Sequence, residues 1–180
     1  MGAQTTYDNV PALGYAGDLD RSRPFATLTM KNVEASASMP FGSAVCRDLV
    51  SPASDMSALQ PALESNKVAG IILRANTYAR TWTDDAGTVN GQLDGTGLVV
   101  GTIMTVVTMG RMFVKCDTGC VPGDGLWVRA VAGAGEALGA LENADDSTDM
   151  IDCTKFATWE TTASADGLAW LSFDFTRSAA

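Results

Sequence analysis

Histidine is absent from the 180 residues. Its absence removes the commonest general base, the usual metal ligand and every histidine-dependent catalytic triad. Basic residues are scarce as well, with Lys+Arg at 12 against Asp+Glu at 21 and a formal charge of −9. Phosphate neutralisation needs clustered Lys and Arg, so this balance opposes nucleic-acid binding and favours solubility. Charged residues make up 18 % and hydrophobic ones 46 %, the balance of a folded chain rather than a disordered one. The length suits one domain, with or without appendages, and a real core. The chain does not open on a basic start followed by an apolar run, so no signal peptide is expected. Met1-Gly2 with Thr6 formally fits a myristoylation pattern, but no polybasic second signal stands beside it. The longest apolar run carries Gly and Thr throughout and meets Arg111, so no membrane span is expected.

Catalytic motifs are missing too. No Gly-x-Ser-x-Gly elbow, dinucleotide fingerprint or phosphate loop is present, and no motif pairs Lys31, Lys67, Lys115 or Lys155 with a serine. The acidic series Glu142, Asp145, Asp146, Asp149 and Asp152 does not have calcium-loop spacing and reads as a solvated loop. Asp84 and Asp85 sit in a turn, and nothing singles out a facing carboxylate pair for glycoside hydrolysis. The four cysteines, Cys46, Cys116, Cys120 and Cys153, read as reduced, partly buried thiols. Two disulfides are the alternative, and a zinc site would need all four thiols to converge. Neither an enzyme, a cofactor nor a metal is expected.

What the chain does have is short β-branched runs separated by turn residues. Phe25 to Val33 alternates as a first strand, Phe41 to Leu49 reads as a second, and Lys67 to Ala75 as a buried third. The longest apolar stretch is Leu98 to Val131. It predicts two strands, a corner at Gly110-Arg111, the turn Pro122-Gly123-Asp124-Gly125, and a further strand over Leu126 to Val131. Thr154 to Trp159 and Leu168 to Phe175 close the chain around an Ala165-Asp166-Gly167 turn.

This spacing predicts an all-β fold: a compact β-barrel or β-sandwich of short strands, with an extended N-terminal arm and long loops. The arm covers 1–24 and a single β-rich domain covers 25–180, with loop excursions at 50–66, 77–97 and 142–152. Pro61 limits any helix in the first excursion to a turn or two. In the second, Asn90-Gly91 reads as a hairpin turn. The arm's apolar residues, among them Tyr7, Val10 and Tyr15, need a surface to lie on. Of the four tryptophans, Trp127, Trp159 and Trp170 fall inside apolar alternation and read as core or interface. Trp82, with Tyr78, lies in the polar second excursion and is open to a partner or a sugar.

Several short motifs occur in an order that is informative together. They are Thr5-Thr6-Tyr7, Gly14-Tyr15-Ala16-Gly17, Phe41-Gly42-Ser43-Ala44-Val45 and Gly110-Arg111-Met112-Phe113-Val114. Pro122-Gly123-Asp124 then leads to Leu126-Trp127-Val128, and Asp166-Gly167-Leu168-Ala169-Trp170-Leu171 comes last. The series resembles the bacteriophage structural cement (Gp24-like) head decoration proteins across nearly the whole chain. The Tyr78 to Gly97 excursion and the acidic segment at 142–152 depart from that pattern.

The resemblance implies a non-enzymatic decoration protein on the outer surface of the phage head, made in the host bacterial cytoplasm. It would clamp neighbouring major capsid protein subunits and stabilise the shell as a homotrimer at three-fold or local three-fold positions. Its partners would be the major capsid protein and itself, with no nucleic acid and no membrane. The residues expected at the capsid or subunit interface are Tyr7, Val10, Pro11, Tyr15, Arg21, Arg23, Tyr78 and Trp82. The alternative is a virion-surface carbohydrate-binding β module built on Trp82 and Tyr78; a carboxylate hydrolase is a third reading.

Overall fold

A computed structural model describes residues 15–34, 39–48, 56–62, 67–74, 82–83, 89–90, 97–133, 137–145 and 149–176. The described residues form strands, turns and no α-helix. Five strands make a mixed barrel: β2 (Ala26–Asn32), β3 (Ala44–Arg47), β4 (Ser57–Leu59), β5 (Val68–Ile72) and β8 (Ile103–Cys116). Their order is β8-β2-β4-β3-β5, and β5 returns to β8 through Ile71↔Val107 and Ile72↔Val106. Among the described strands, only β2 and β4 pair in parallel.

Further strands decorate the barrel. β1 (Asp18–Leu19) pairs with β8, and β13 (Gly167–Asp174) extends the sheet from β8 to β12 (Ala157–Trp159). β9 (Trp127–Arg129) sits between β10 (Leu141–Glu142) and β11 (Met150–Asp152) in a second sheet. β6 (Trp82–Thr83) and β7 (Val89–Asn90) pair with each other.

Two hydrophobic clusters explain why the apolar runs are continuous. Met30, Val45, Ala58, Ile72, Met104 and Val106 come from all five barrel strands and fill the barrel. Their immediate neighbours Ala44, Cys46, Ile71 and Val107 belong to the other cluster, with Leu126, Val128, Trp159 and Leu171. The β3–β5–β8 wall is therefore buried on both faces, which erases the apolar–polar alternation of a one-sided strand.

The central stretch departs from the expected two strands. β8 is one strand of 14 residues. Ala26 pairs with Met109 while Thr27 pairs with Val107, so Thr108 is an extra residue opposite β2. One inserted residue reverses which face each later side chain takes. Met104 and Val106 accordingly point into the barrel, whereas Met112, Val114 and Cys116 point into the second cluster. Gly110, with φ 150°, lies just beyond this bulge, where a Cβ would meet the Phe25 Cβ at 3.1 Å. The bulge lets a single strand serve β2 with its first half and β13 with its second.

Other boundaries also move. Ser57–Leu59 forms a strand inside the segment read as a loop with helical leanings, because β2 and β3 offer it pairing edges. Asn90 is a strand residue paired with Trp82, so the hairpin closes before it rather than at Asn90-Gly91. The strand expected over Leu126 to Val131 is confined to Trp127–Arg129.

Glu142 overturns its expected place in a solvated loop. It lies in β10 with 0 % side-chain exposure, and its Oε1 accepts from Arg129 Nε at 2.7 Å. The Arg129 side chain is 2 % exposed. A buried carboxylate persists when a cation and hydrogen bonds replace its water. Trp159, also fully buried, donates Nε1–H to the Glu142 carbonyl at 3.4 Å. The four cysteines are buried and free.

Candidate interaction surface

The described chain begins at Tyr15, and its first residues form a docked root. The Gly17 N–H donates to the Phe113 carbonyl at 2.8 Å, and the Arg74 N–H donates to the Gly17 carbonyl at 2.9 Å. Asp18 and Leu19 then pair with Phe113 and Met112 of β8. The turn is closed by Asp18, whose Oδ2 accepts from the Tyr15 N–H at 2.8 Å.

Tyr15 stands at the outer end of this root and is 59 % exposed. The Arg74 guanidinium lies 3.9 Å from its ring centroid. Such a stacked pair contributes about 0.5–1 kcal/mol at an exposed site. That is enough to orient the ring while leaving much of it accessible.

An ion-pair network pins the next few residues to the far side of β8. Arg111 donates through Nε to Glu160 Oε2 at 2.6 Å and through Nη1 to Asp20 Oδ2 at 3.0 Å. Its guanidinium sits 4.4 Å from the Trp170 ring centroid. Arg23 Nη1 reaches Glu160 Oε1 at 3.1 Å, and Ser172 donates to the same oxygen. Hydrogen bonds from Ser22 and Arg111 hold the Asp20 carboxyl down at about 2. Burial works to raise Glu160, but Ser172, Arg111 and Arg23 together keep it below the usual glutamate range. Arg111, Asp20 and Glu160 are partly buried and Arg23 is exposed, and ion pairs that stay in reach of water serve mainly to fix positions.

Below the network lies an open groove of about 430 Å³. Met109, Phe156 and Phe173 line it, with Arg23, Lys155 and Asp174 among its charged residues.

The interface residues expected from sequence divide as follows. Tyr15 and Arg23 lie on the root and its network, and Arg21 is exposed between them. Tyr7, Val10, Pro11 and Tyr78 lie outside the described residues, and Trp82 is described only through its backbone pairing in β6. Sequence reasoning misses Arg74, Glu160 and Lys155 at this surface. The one visible hint is Arg111, a cation interrupting an apolar β-branched run. Among the described residues no three His, Cys, Asp or Glu side chains group as metal ligands.

The chain is similar in structure to a chain from the capsid of Myoviridae Phage XM1, with a TM-score of 0.61 and 16 % identity. The match covers 94 % of this chain and 95 % of that one, a likeness of fold. No curated protein matches in sequence. Residues 3–174 match the family described as structural cement protein (E217 gp24/Pam3 gp6). The chain therefore belongs to the phage structural cement protein family, and is a non-enzymatic structural component of the phage capsid.

Proposed function

We propose that the protein binds the outer surface of the head and clamps neighbouring major capsid subunits through its N-terminal arm. The arm comprises residues 1–24, of which 15–24 form the docked root, and the β-rich body over 25–180 is the clamp's rigid part. The observation that carries this reading is the root itself. Gly17 is bonded to both Phe113 and Arg74, while Tyr15 beside it keeps 59 % of its surface exposed.

A tether fixed at one end makes the second contact intramolecular, so modest contacts reinforce one another. An extended arm can add to a strand edge on a neighbouring subunit. The copies act as homotrimers at three-fold or local three-fold positions, which brings three arms to bear on adjoining subunits. The protein is made in the host bacterial cytoplasm and joins the head there. Tyr7, Val10, Pro11, Tyr15, Arg21, Arg23, Tyr78 and Trp82 face the shell or a neighbouring copy.

Co-sedimentation with heads lacking the protein, followed by heating, tests the reading. Binding and a raised temperature of head disruption are expected. Heads that neither retain the protein nor gain heat resistance would contradict it.

A further inference from the structure

Two arginines beside the root stack on aromatic rings, and one of them has its edge occupied. Arg111 lies 4.4 Å from the Trp170 ring centroid and turns its N–H edge to Glu160 at 2.6 Å and Asp20 at 3.0 Å. A face on a ring with an edge on carboxylates uses both properties of a guanidinium, its flat face and its fork of donors. Arg74 repeats only the first half of this arrangement, stacking on Tyr15 at 3.9 Å. Its side chain is partly buried and makes no ion pair or hydrogen bond among the described residues. Asp18, the carboxylate nearest the stack in sequence, accepts from the Tyr15 N–H instead.

The backbone holds this half-built site in place. The Arg74 N–H donates to the Gly17 carbonyl at 2.9 Å, which keeps the arginine beside the root. The guanidinium cannot lose its proton, so the positive charge stays where the chain puts it. Stacking on Tyr15 orders the side chain in advance, so a group that bonds its edge loses less entropy than it would on a free arginine.

We infer that Arg74, held by Tyr15, receives a surface carboxylate, an Asp or Glu side chain, of the neighbouring major capsid subunit. Arginine–carboxylate pairs are frequently bidentate, and they are among the stronger hydrogen bonds. The site lies where residues 1–14 lead off from the root, so it continues the contact proposed between arm and shell. That continuity favours a shell carboxylate over one from a second copy. At physiological salt a Debye length of about 8 Å screens the chain's distant carboxylates, so the guanidinium rather than the net charge of −9 decides what docks here. This inference rests on the clamp in the proposed function and names the chemistry of its first contact.

Binding of the full chain to heads lacking the protein tests it, on untreated heads and on heads whose surface carboxylates have been converted to amides. Arg74→Gln is expected to weaken binding to untreated heads by about tenfold or more. The backbone N–H at this position still donates to Gly17, and thermal melting confirms that the variant folds. On amidated heads the wild type and Arg74→Gln are expected to bind alike, because both changes remove the same coupling. Lys67→Gln loses the same charge at the other end of β5 and should bind as the wild type does. A wild type that does not bind untreated heads would contradict the clamp itself. Equal binding of wild type and Arg74→Gln to untreated heads, or an undiminished gap on amidated heads, would overturn the carboxylate contact alone. Weaker binding by Arg74→Gln together with a changed mass of the free protein would move the carboxylate to a second copy and overturn its place on the shell.

Discussion

Gly17 and Gly42 pack backbone against backbone: a Cβ on Gly42 would lie 2.9 Å from the Gly17 nitrogen. Both have positive φ, 90° and 78°, so each position disfavours a side chain twice over. The contact seats the arm root on the barrel where β3 begins and β5 ends. Gly42→Ala is expected to destabilise by about 1–3 kcal/mol from strain and overpacking combined. Gly101, with φ 83° and nothing within 4 Å of an added Cβ, isolates the strain. Urea unfolding should show Gly101→Ala as the milder change, and equal losses would argue against the packing contribution.

The Arg129–Glu142 pair predicts a sharp asymmetry. Both side chains are buried, and Glu142 Oε2 has no hydrogen-bond partner among the described residues. Replacing Arg129 with Met strands a buried carboxylate and is expected to cost about 3–5 kcal/mol. Arg129→Met together with Glu142→Leu removes the stranded charge and should recover most of the loss. A double variant as unstable as the single one would mean that packing rather than charge dominates there.

Acid should loosen the root. Asp20 is held at about 2, below its usual 3.8, and Glu160 lies below its usual 4.5. A carboxyl depressed in the folded state stabilises above its unfolded pKa and loses that contribution as pH falls through the folded value. Melting temperature is therefore expected to fall for this reason from about pH 4.5 to pH 2. Asp20→Asn should flatten part of that fall. A variant with an unchanged acid profile would remove Asp20 from the effect.

The cysteines should be silent until the chain unfolds. Burial pushes Cys116 and Cys153 up to about 12 and raises Cys120, so little reactive thiolate exists at neutral pH. A thiol reagent is expected to label none of the four quickly in buffer and all of them in urea. Rapid native labelling of any one would show that its cluster opens locally.

Much of the barrel is legible in the sequence because its side chains speak for themselves. Val68–Ile72 and the Leu98 to Val131 stretch are apolar and β-branched, and burial on both faces makes such runs continuous. Gly110 marks the corner because it interrupts one of them. Ser57–Leu59 is not legible: a three-residue strand is decided by its neighbours' edges rather than by its own propensity. Glu142 is hidden among carboxylates, since only the fold brings Arg129 across to it. Tyr15 stands out in the sequence as an aromatic in the arm, whereas its partner Arg74 does not, because their contact exists only once the root docks.

The central claim is that a fixed root carries an arm that holds the shell. The most direct test deletes residues 1–14, keeps the root intact, and measures occupancy on heads lacking the protein. Occupancy should drop sharply while the folded body melts as before. Full occupancy by the shortened chain would contradict the clamp and place attachment on the body instead.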